Sequence, residues 1–589
     1  RRAWICIMLD TTPSNLYQEI ESAERFRESH LEHYGDLVKD YVGPMYGGLD
    51  VEEFAPENHV YEYLSLTVPR LIHDNPRVRV TSRRPVSQGD VAKAIEHGIN
   101  RWVRDTNVRS VIQRTAYDTL LTYGVVLTSQ APMPGQDPQA KYKSYWPNCY
   151  RISPKRFIID PVAISVPEAR YMGHMWVRDK EDLIEESKLD PSWNGDVIEN
   201  LSESWEHDDI GEESRHREAP ERHEVVAYDL WVPEIQLKNS PGPEFGFHGT
   251  IFTVAAGGDY YGEKDSKKSD FIREPRPYYG PPTGPYTMFG AYYVPDSPYP
   301  LSPLMASSGQ MNELNDHIRS ASASAANYKR LILVDSKNKK LVQDVKSQPH
   351  DFVVPVEGLD NDSVIQMELG GITNQQVSYI QMARDRLDRN SGIHDAMRGN
   401  VTGDATATEV SIAQGSSTMR LAYIRQQFQE SVRNTLMKVS WFMHNDDRVA
   451  FPLGADAADQ LGMGEPWFVG GMDDSGSFDD LELEVDAYSM ERVNEGLRQH
   501  RAMEAFHIIT HVASAMPQMP YVDWNGMLNK LGDSMNMPDL SGLIDSEMLG
   551  QLMQQQQQTA AEQQQLASAQ QKADIQATQM SAAPQEGGF

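Results

Sequence analysis

The chain has 589 residues, and its 39% hydrophobic and 24% charged residues are typical of a folded protein with several domains. Its 54 basic and 85 acidic residues give a net charge of −31, which argues against a surface that clamps nucleic-acid phosphates with clustered lysine and arginine. Two cysteines, Cys6 and Cys149, exclude a disulfide framework, and no apolar run reaches the roughly eighteen residues that cross a membrane.

Hydrophobic periodicity in the first 298 residues predicts a mixture of helices and strands. Helices are predicted over 13–40, over 60–75 with Pro69 inside, and twice within 90–125; strands are predicted over 77–80, 125–129, 151–160, 169–177 and 224–232. The stretch 185–224 is polar, acidic and poor in apolar periodicity, so we expect an exposed insertion there.

A helix rich in serine and alanine follows a segment, 273–303, that is dense in proline, glycine and tyrosine. Ser302 and Pro303 predict its start, because serine caps a first turn and proline suits the first helical position. Small side chains let helices approach closely, although a flexible surface helix is the alternative. The alanines that we expect to pack are Ala321, Ala323, Ala325 and Ala326.

Three short strands are predicted next, over 331–334, 352–356 and 364–367. Basic residues cluster in this segment against the acidic trend of the chain: Lys329, Arg330, Lys337, Lys339, Lys340 and Lys346. A solvated face is one interpretation of this patch. Docking of an acidic partner, or contact with passing DNA, is the other.

The segment from Thr373 to Asn445 predicts a helix, a loop and then one very long helix, which begins at Ala407. Globular helices average about a dozen residues, so a helix of this length indicates a strut in a large assembly. Glycines and polar residues break the helical pattern between the two helices. The loop residues of interest are Gly392, His394, Arg398, Gly399, Asn400, Gly403 and Asp404.

Two phrases in this segment, NSGIHDAMRGN (390–400) and ATATEVSIAQGSSTMR (405–420), resemble the tunnel loop and following helix of the portal proteins of tailed double-stranded DNA bacteriophages. A proline-rich strand leading into the Ser/Ala helix at 299–328 resembles their first stem helix, and SPKRFIIDP (153–161) is similar to a phrase in their wing domain. As an order of elements, the resemblance extends over residues 14–545.

This resemblance implies a multi-domain α+β portal fold that forms a ring, mainly helical, with a mixed α/β wing, a two-helix stem, a small β-containing clip, a long kinked wing helix and a helical crown. The implied bounds are 1–298 for the wing, 299–328 and 373–390 for the stem helices, 329–372 for the clip, 391–406 for the tunnel loop, 407–488 for the long helix and wing strands, and 489–545 for the crown. The glutamine-rich end, 546–589, is predicted to be a low-complexity tail, disordered or weakly helical.

The resemblance also implies a structural role in the virion. A homo-oligomeric ring, commonly of twelve copies, would sit at one capsid vertex after assembly in the host cytoplasm. Its partners would be the major capsid and scaffolding proteins, the terminase large subunit during packaging, the neck, adaptor and tail proteins, and double-stranded DNA passing without sequence preference. An acidic wall suits such passage because like charge prevents adhesion, although acidity that only maintains solubility is the alternative.

Arginines flank the loop and continue along the long helix, at positions that include Arg420 and Arg433. In a ring each arginine would become a belt of positive charge that can contact DNA phosphates without reading bases. Ion pairs between subunits are the alternative. We favour that alternative for Arg384, Arg386 and Arg425, and both interpretations stay open for Arg398.

Catalytic motifs lead to no assignment. The stretch GGDYYGEK (257–264) lacks the Gly-Lys-Ser/Thr of a phosphate loop, and His507 and His511 lack the glutamate of a zinc protease because Ile508 stands in its place. We therefore predict no catalytic residue, metal site or cofactor. The rival hypotheses are another neck or tail ring protein, and a terminase or nuclease, which would need a phosphate loop or a metal-binding carboxylate cluster.

Overall fold

The computed structural model describes residues 8–43, 57–132, 145–201, 224–237, 246–255, 271–335, 343, 352–356, 364–369, 371–392, 407–453, 467–471, 476–486 and 489–490. For residues 131–132, 329–335, 352–356, 364–369 and 407–419 it describes the backbone alone. The chain divides into two compact units after Glu491, and all described residues belong to the first unit. The expected tail and nearly all of the expected crown lie outside the described residues.

Helices and strands alternate along the described ranges and confirm an α+β class. The helices are α1 (Pro13–Leu31), α2 (Tyr34–Val42), α3 (His59–Leu71), α4 (Pro85–Asp105), α5 (Val108–Leu121), α6 (Lys180–Leu189), α7 (Gly195–Glu199), α8 (Pro303–Ala326), α9 (Asn374–Ser391) and α10 (Ala407–Asn445). The strands are β1 (Val78–Ser82), β2 (Gly124–Pro132), β3 (Tyr145–Ile152), β4 (Phe157–Ile159), β5 (Met172–Asp179), β6 (Glu224–Val232), β7 (Phe247–Ala255), β8 (Arg273–Tyr279), β9 (Tyr286–Phe289), β10 (Lys329–Asp335), β11 (Phe352–Val356), β12 (Val364–Leu369), β13 (Ala450–Pro452), β14 (Trp467–Val469) and β15 (Leu481–Val485).

The largest sheet among the described strands has the order β4-β5-β6-β7-β8, with antiparallel neighbours throughout. Side chains on β6 alternate between two apolar clusters, as the two-residue period of a strand requires. Tyr228 and Leu230 belong to the cluster that includes Leu16 and Ile20 of α1, whereas Trp231 belongs to the cluster on the other face. The sheet is therefore covered on both sides, with α1 packed on one of them.

A buried ion pair holds the turn between β4 and β5 in place. The Arg170 guanidinium donates to the Asp160 carboxylate from Nε at 2.7 Å and from Nη2 at 2.9 Å, and its Nη2 also reaches Glu19 of α1 at 3.2 Å. Burial alone would raise the pKa of Asp160, but the hydrogen bonds from Arg170 and from the Val162 N–H outweigh it, and the pKa is lowered. The charged form of Asp160 is therefore the form that the fold stabilises.

The C-terminal half of α10 is the centre of the main apolar core. Six side chains at spacings of three and four residues form one buried stripe: Ile424, Phe428, Val432, Leu436, Val439 and Met443. They belong to one cluster with apolar residues of α3, α4 and α5. Buried hydroxyls on α10 bond to the carbonyl four residues earlier, as Thr435 does to Ser431 at 2.9 Å, so their burial leaves them satisfied.

The predicted bounds of several elements are confirmed. The long helix runs from Ala407 to Asn445 and the strand predicted over 224–232 is β6, while the kink expected in the long helix stays a prediction. The strand predicted over 151–160 is divided, because a 3-10 turn at Pro154–Arg156 separates β3 from β4.

The expected exposed insertion at 185–224 is wrong for its first part. Helices α6 and α7 lie there, and Trp193, Val197, Ile198 and Leu201 are buried in a cluster with Val225 and Ala227 of β6. The apolar residues are few but share one face, so composition alone hid them. Residues 202–223 lie outside the described residues.

Replacing Arg170 with methionine should lower the free energy of unfolding by about 3 kcal/mol, because Asp160, whose side chain is 2% exposed, would stay buried without its partner. The stabilisation exists above the unfolded pKa of about 4 and is lost as the pH falls through the lowered folded value. Urea unfolding at pH 7 measures it. Arg25→Met is the matched control, since Arg25 makes an exposed pair with Glu21 and should change stability by less than about 0.5 kcal/mol. Equal effects of the two substitutions would contradict the assignment.

Candidate functional site: a helical hairpin and its junction with the long helix

Helices α8 and α9 pack side by side and form what we call the helical hairpin. Each begins with a side-chain cap: the Ser302 hydroxyl accepts from the N–H groups of Leu304 and Met305, and Thr373 and Gln376 form a reciprocal capping box. Contacts pair the end of α8 with the start of α9, since the Gly371 N–H donates to the Ser324 carbonyl at 3.0 Å. The two helices are therefore antiparallel.

A three-stranded sheet connects the two helices of the hairpin. Its central strand, β10, pairs with β11 in parallel and with β12 antiparallel. Gly371 leads from this sheet into α9 with φ at +92°, a conformation that favours glycine, and a Cβ there would lie 3.0 Å from Tyr328. The predicted strands of this segment are thus confirmed, with β10 and β12 longer than expected.

The half of the hairpin near the main core is anchored by apolar packing. Leu304, Met311 and Leu314 of α8 and Ala383 and Leu387 of α9 are buried in the same cluster as the α10 stripe.

Polar contacts between the two helices lie beyond this apolar half. The Tyr379 hydroxyl donates to the Glu313 carboxylate at 2.5 Å, and the Tyr379 ring meets the His317 ring edge-on at 4.5 Å. In the described part of the chain, the buried apolar contacts of the hairpin with the main core thus lie towards one end of it.

The outer half of the hairpin, residues 320–328 and 371–382, contains no charged residue, in a chain that is 24% charged. Most of its side chains are nevertheless exposed. Large apolar groups are among them: Tyr328 is 45% exposed, Ile372 51% and Val377 54%. An uncharged and partly apolar helical pair that faces solvent in the single chain is a surface suited to contact with other protein.

The junction of the hairpin with α10 is made by Arg420. Its Nη1 donates to the carbonyls of Arg389 at 2.7 Å and Asn390 at 2.9 Å, which the last turn of α9 leaves without helical partners. Gly392 ends the helix with φ at +76° and donates its N–H to Asp388. A Cβ on Gly392 would lie 3.3 Å from the Arg420 Cδ, so the glycine also makes room for the arginine. Arg420 therefore fixes the C-terminal end of α9, which immediately precedes residues 393–406.

Arg384 binds within its own chain, while the expected pairing with a neighbouring subunit stays a prediction. Its guanidinium makes a two-point ion pair with Glu57, in which Nε lies 3.2 Å from Oε2. The backbone N–H of Glu57 in turn donates to the Asn315 side-chain oxygen of α8 at 3.3 Å. The segment before α3 thus binds both helices of the hairpin.

The predicted site residues fall into three groups. Ala321 is buried within the chain, whereas Ala323, Ala325 and Ala326 are exposed. Lys329 and Arg330 lie at the start of β10, where the backbone alone is described. The remaining predicted residues, apart from Gly392, lie outside the described residues: Lys337, Lys339, Lys340, Lys346, His394, Arg398, Gly399, Asn400, Gly403 and Asp404.

Elsewhere in the described ranges, a cleft of about 560 Å³ lies beside α4. Arg77 and Arg104 line it together with Asp74 and Glu96, so its charges are balanced and favour neither an anion nor a cation. No group of three His, Cys, Asp or Glu residues positioned to hold a metal ion occurs among the described residues. None of the helices described here combines the length and apolar character needed to span a membrane.

Comparison with known proteins adds no relative: no family model matches the chain, and no curated protein matches it. The geometry of the hairpin and of its junction with α10 is therefore the basis for the functional proposal.

Replacing Arg420 with methionine should fray the last turn of α9, because two carbonyls lose a charged donor worth about 1–2 kcal/mol in total. We expect amide hydrogen exchange in a peptide covering 384–392 to become about tenfold faster. Arg433→Met is the control, since Arg433 is exposed on the same helix. Unchanged exchange in the Arg420 variant would contradict the capping role.

Proposed function

We propose that this chain is the subunit of a portal ring at one vertex of a bacteriophage capsid. The observation that carries the proposal is the outer half of the hairpin, which is exposed in the single chain yet uncharged. Such a surface gains stability when neighbouring copies cover it. Cyclic assembly by head-to-tail contacts is the arrangement in which one hairpin face meets a different face of the next copy.

In this proposal the hairpin is the stem, the three-stranded sheet is the clip, and the loop that leaves Gly392 is the tunnel loop. The α1 helix and the sheets packed around α10 are the wing, and the residues beyond it form the crown. The stem helices surround the channel, and the clip meets the terminase first and the neck or tail proteins later. These are mechanical roles, and none requires a catalytic group.

Charge supports passage of DNA through such a ring. A wall without clustered lysine and arginine does not hold phosphates, and a net charge of −31 per chain repels them. The outer half of the hairpin adds no cation to that wall. Arg384 and Arg420, which are candidates for positive belts, already bind groups of their own chain, which leaves contact with DNA to residues of the loop.

Rigid attachment of the loop supports the same proposal. Arg420 and Gly392 fix its first residue against the long helix, so force on the loop is transmitted to α10 and to the main core. A loop that narrows a channel needs such an anchor on one side and glycines for conformational range within it. The sequence 393–406 supplies two glycines, Gly399 and Gly403.

Native mass spectrometry with negative-stain imaging tests the proposal, and we expect a ring of about a dozen copies around an open channel. Ala323→Leu with Ala326→Leu should abolish or weaken the ring while leaving the subunit folded, because both alanines are exposed in the single chain and added volume would obstruct close packing. Ala321→Leu is the matched control that should instead damage the hairpin itself, since Ala321 is buried.

A wild-type chain that stays monomeric with scaffolding protein present would overturn the ring. Intact rings from the double variant would contradict packing at these alanines and leave the ring itself standing.

Deleting residues 399–404 should leave rings intact and impair packaging or retention of the genome, because the loop and not the stem would be shortened. Counting full capsids by electron microscopy, with DNA retained after nuclease treatment as the second readout, measures the effect. Normal packaging and normal retention by this deletion would contradict the tunnel-loop assignment.

A further inference from the structure

A lysine is buried where the long helix crosses the sheets. Lys438 of α10 is 5% exposed, and its Nζ donates to the backbone carbonyl of Tyr286 in β9. Aliphatic and aromatic residues of α10 surround it along the helix, with Leu436, Val439 and Phe442 all buried. A buried ammonium without a carboxylate partner is costly, because one carbonyl does not replace its hydration.

The groups that face Lys438 from the sheets are neutral. Cys149 of β3 is the titratable group that can act on it, since a thiolate there would raise the pKa of Lys438, and the Cys149 Sγ lies 3.8 Å from the hydroxyl of Thr128, a buried residue of β2. Burial raises the pKa of the Cys149 thiol to about 12, so the thiol carries no charge at neutral pH. Burial lowers the pKa of Lys438 itself to about 7.

Tyr286 continues the polar connection into the five-stranded sheet. Its hydroxyl lies 2.8 Å from His174 Nδ1 in β5 and donates to the Asp229 carbonyl in β6 at 3.3 Å. Burial lowers the pKa of His174. The charge of Arg156 lowers this pKa further, whereas the Asp229 carboxylate acts to raise it. Arg276 faces Asp229 at 3.8 Å. One chain of contacts therefore joins the long helix, the sheet of β2, β3 and β9, and the larger sheet.

We propose that Lys438 makes the contact between the long helix and the sheets a proton-sensitive joint, which is closed when the lysine is neutral and opens more readily as the lysine takes up a proton. The inference rests on the packing within one chain and does not depend on the proposed ring. The joint holds α10 in place, and the same helix carries Arg420 at the hairpin. Protonation at one end of α10 thus weakens the support of the junction at the other end.

The sign follows from the two protonation states. In the open joint Lys438 regains an ordinary pKa near 10.5, so opening takes up a proton between about pH 7 and pH 10. The opening equilibrium constant should therefore rise roughly 50-fold when the pH is lowered from 9 to 7, and change little below pH 7.

Thiol labelling of Cys149 measures the opening, because this partly buried thiol packs against the main core in the closed joint and is more accessible in the open one. In the full chain with Cys6→Ser, the labelling rate by a disulfide reagent is divided by the rate of the same protein in urea at each pH, which removes the intrinsic effect of pH on the thiol. In the wild-type chain we expect the opening equilibrium constant to rise roughly 50-fold when the pH is lowered from 9 to 7. In Lys438→Met we expect this constant to be independent of pH. Lys93→Met, which removes an exposed lysine, should behave as the wild type.

An opening constant that is the same at pH 7 and pH 9 in the wild-type joint would overturn the proposal. The same rise in Lys438→Met would also overturn it, because another group would then be responsible. If Lys438→Met does not fold, the wild-type profile still decides, since the proposal requires the rise to level off near pH 7.

Discussion

The buried stripe of α10 is the constraint on which the rest of the structure depends. Phe428, Val432 and Leu436 contribute to one core with helices from the first third of the chain, with the base of the hairpin and with the short strands that follow α10. Burying side chains of this size is worth about 1.5–3 kcal/mol each. The long helix is thus the part of the body against which the sheets and the hairpin are positioned.

Polar contacts around this core fix the relative positions of helices and strands, which apolar packing alone does not specify. Arg384 joins Glu57 to α9, Arg420 holds the last carbonyls of α9, and Lys438 reaches the carbonyl of Tyr286. Each contact has a side-chain donor and a fixed geometry, so each specifies one register between elements that apolar contact alone would allow to slide. The hairpin is consequently well fixed at its base, while its outer half has no charged residue and is mostly exposed in the single chain. This contrast, and not a catalytic arrangement, is what the structure contributes to the functional proposal.

Local patterns in the sequence were sufficient for some of the elements, such as the long helix, and insufficient for their connections. Helical periodicity located α10 to the residue, and Ser302 with Pro303 located the start of α8, because period and capping are properties of adjacent residues. The ion pair of Arg384 joins residues 327 positions apart, and Arg420 binds carbonyls about thirty positions away, so no local pattern contains either. The acidic composition of 185–224 led to the wrong prediction of an exposed segment for a related reason. Its four buried residues form an apolar cluster through contact with β6, which local composition does not reveal: Trp193, Val197, Ile198 and Leu201. The sequence does show Lys438 as a single basic residue within the apolar end of a predicted helix. It does not show that the Tyr286 carbonyl accepts its hydrogen bond.

The pairing of β1 with β15 determines when this chain can finish folding. Val80 lies opposite Leu483, and the other edge of β1 is closed by side chains of α4, with the Asn100 and Glu96 oxygens accepting from the Val78 and Val80 N–H groups at 2.9 Å. A strand made early in synthesis thus waits for a partner made some four hundred residues later, at a closure entropy that local helices do not face. During translation at about 5–20 residues per second, that interval lasts tens of seconds, in which the edge of β1 is unpaired. Completion of the body is therefore a late, post-translational or near-terminal event, and any assembly that requires a finished body is delayed until the whole first unit has left the ribosome.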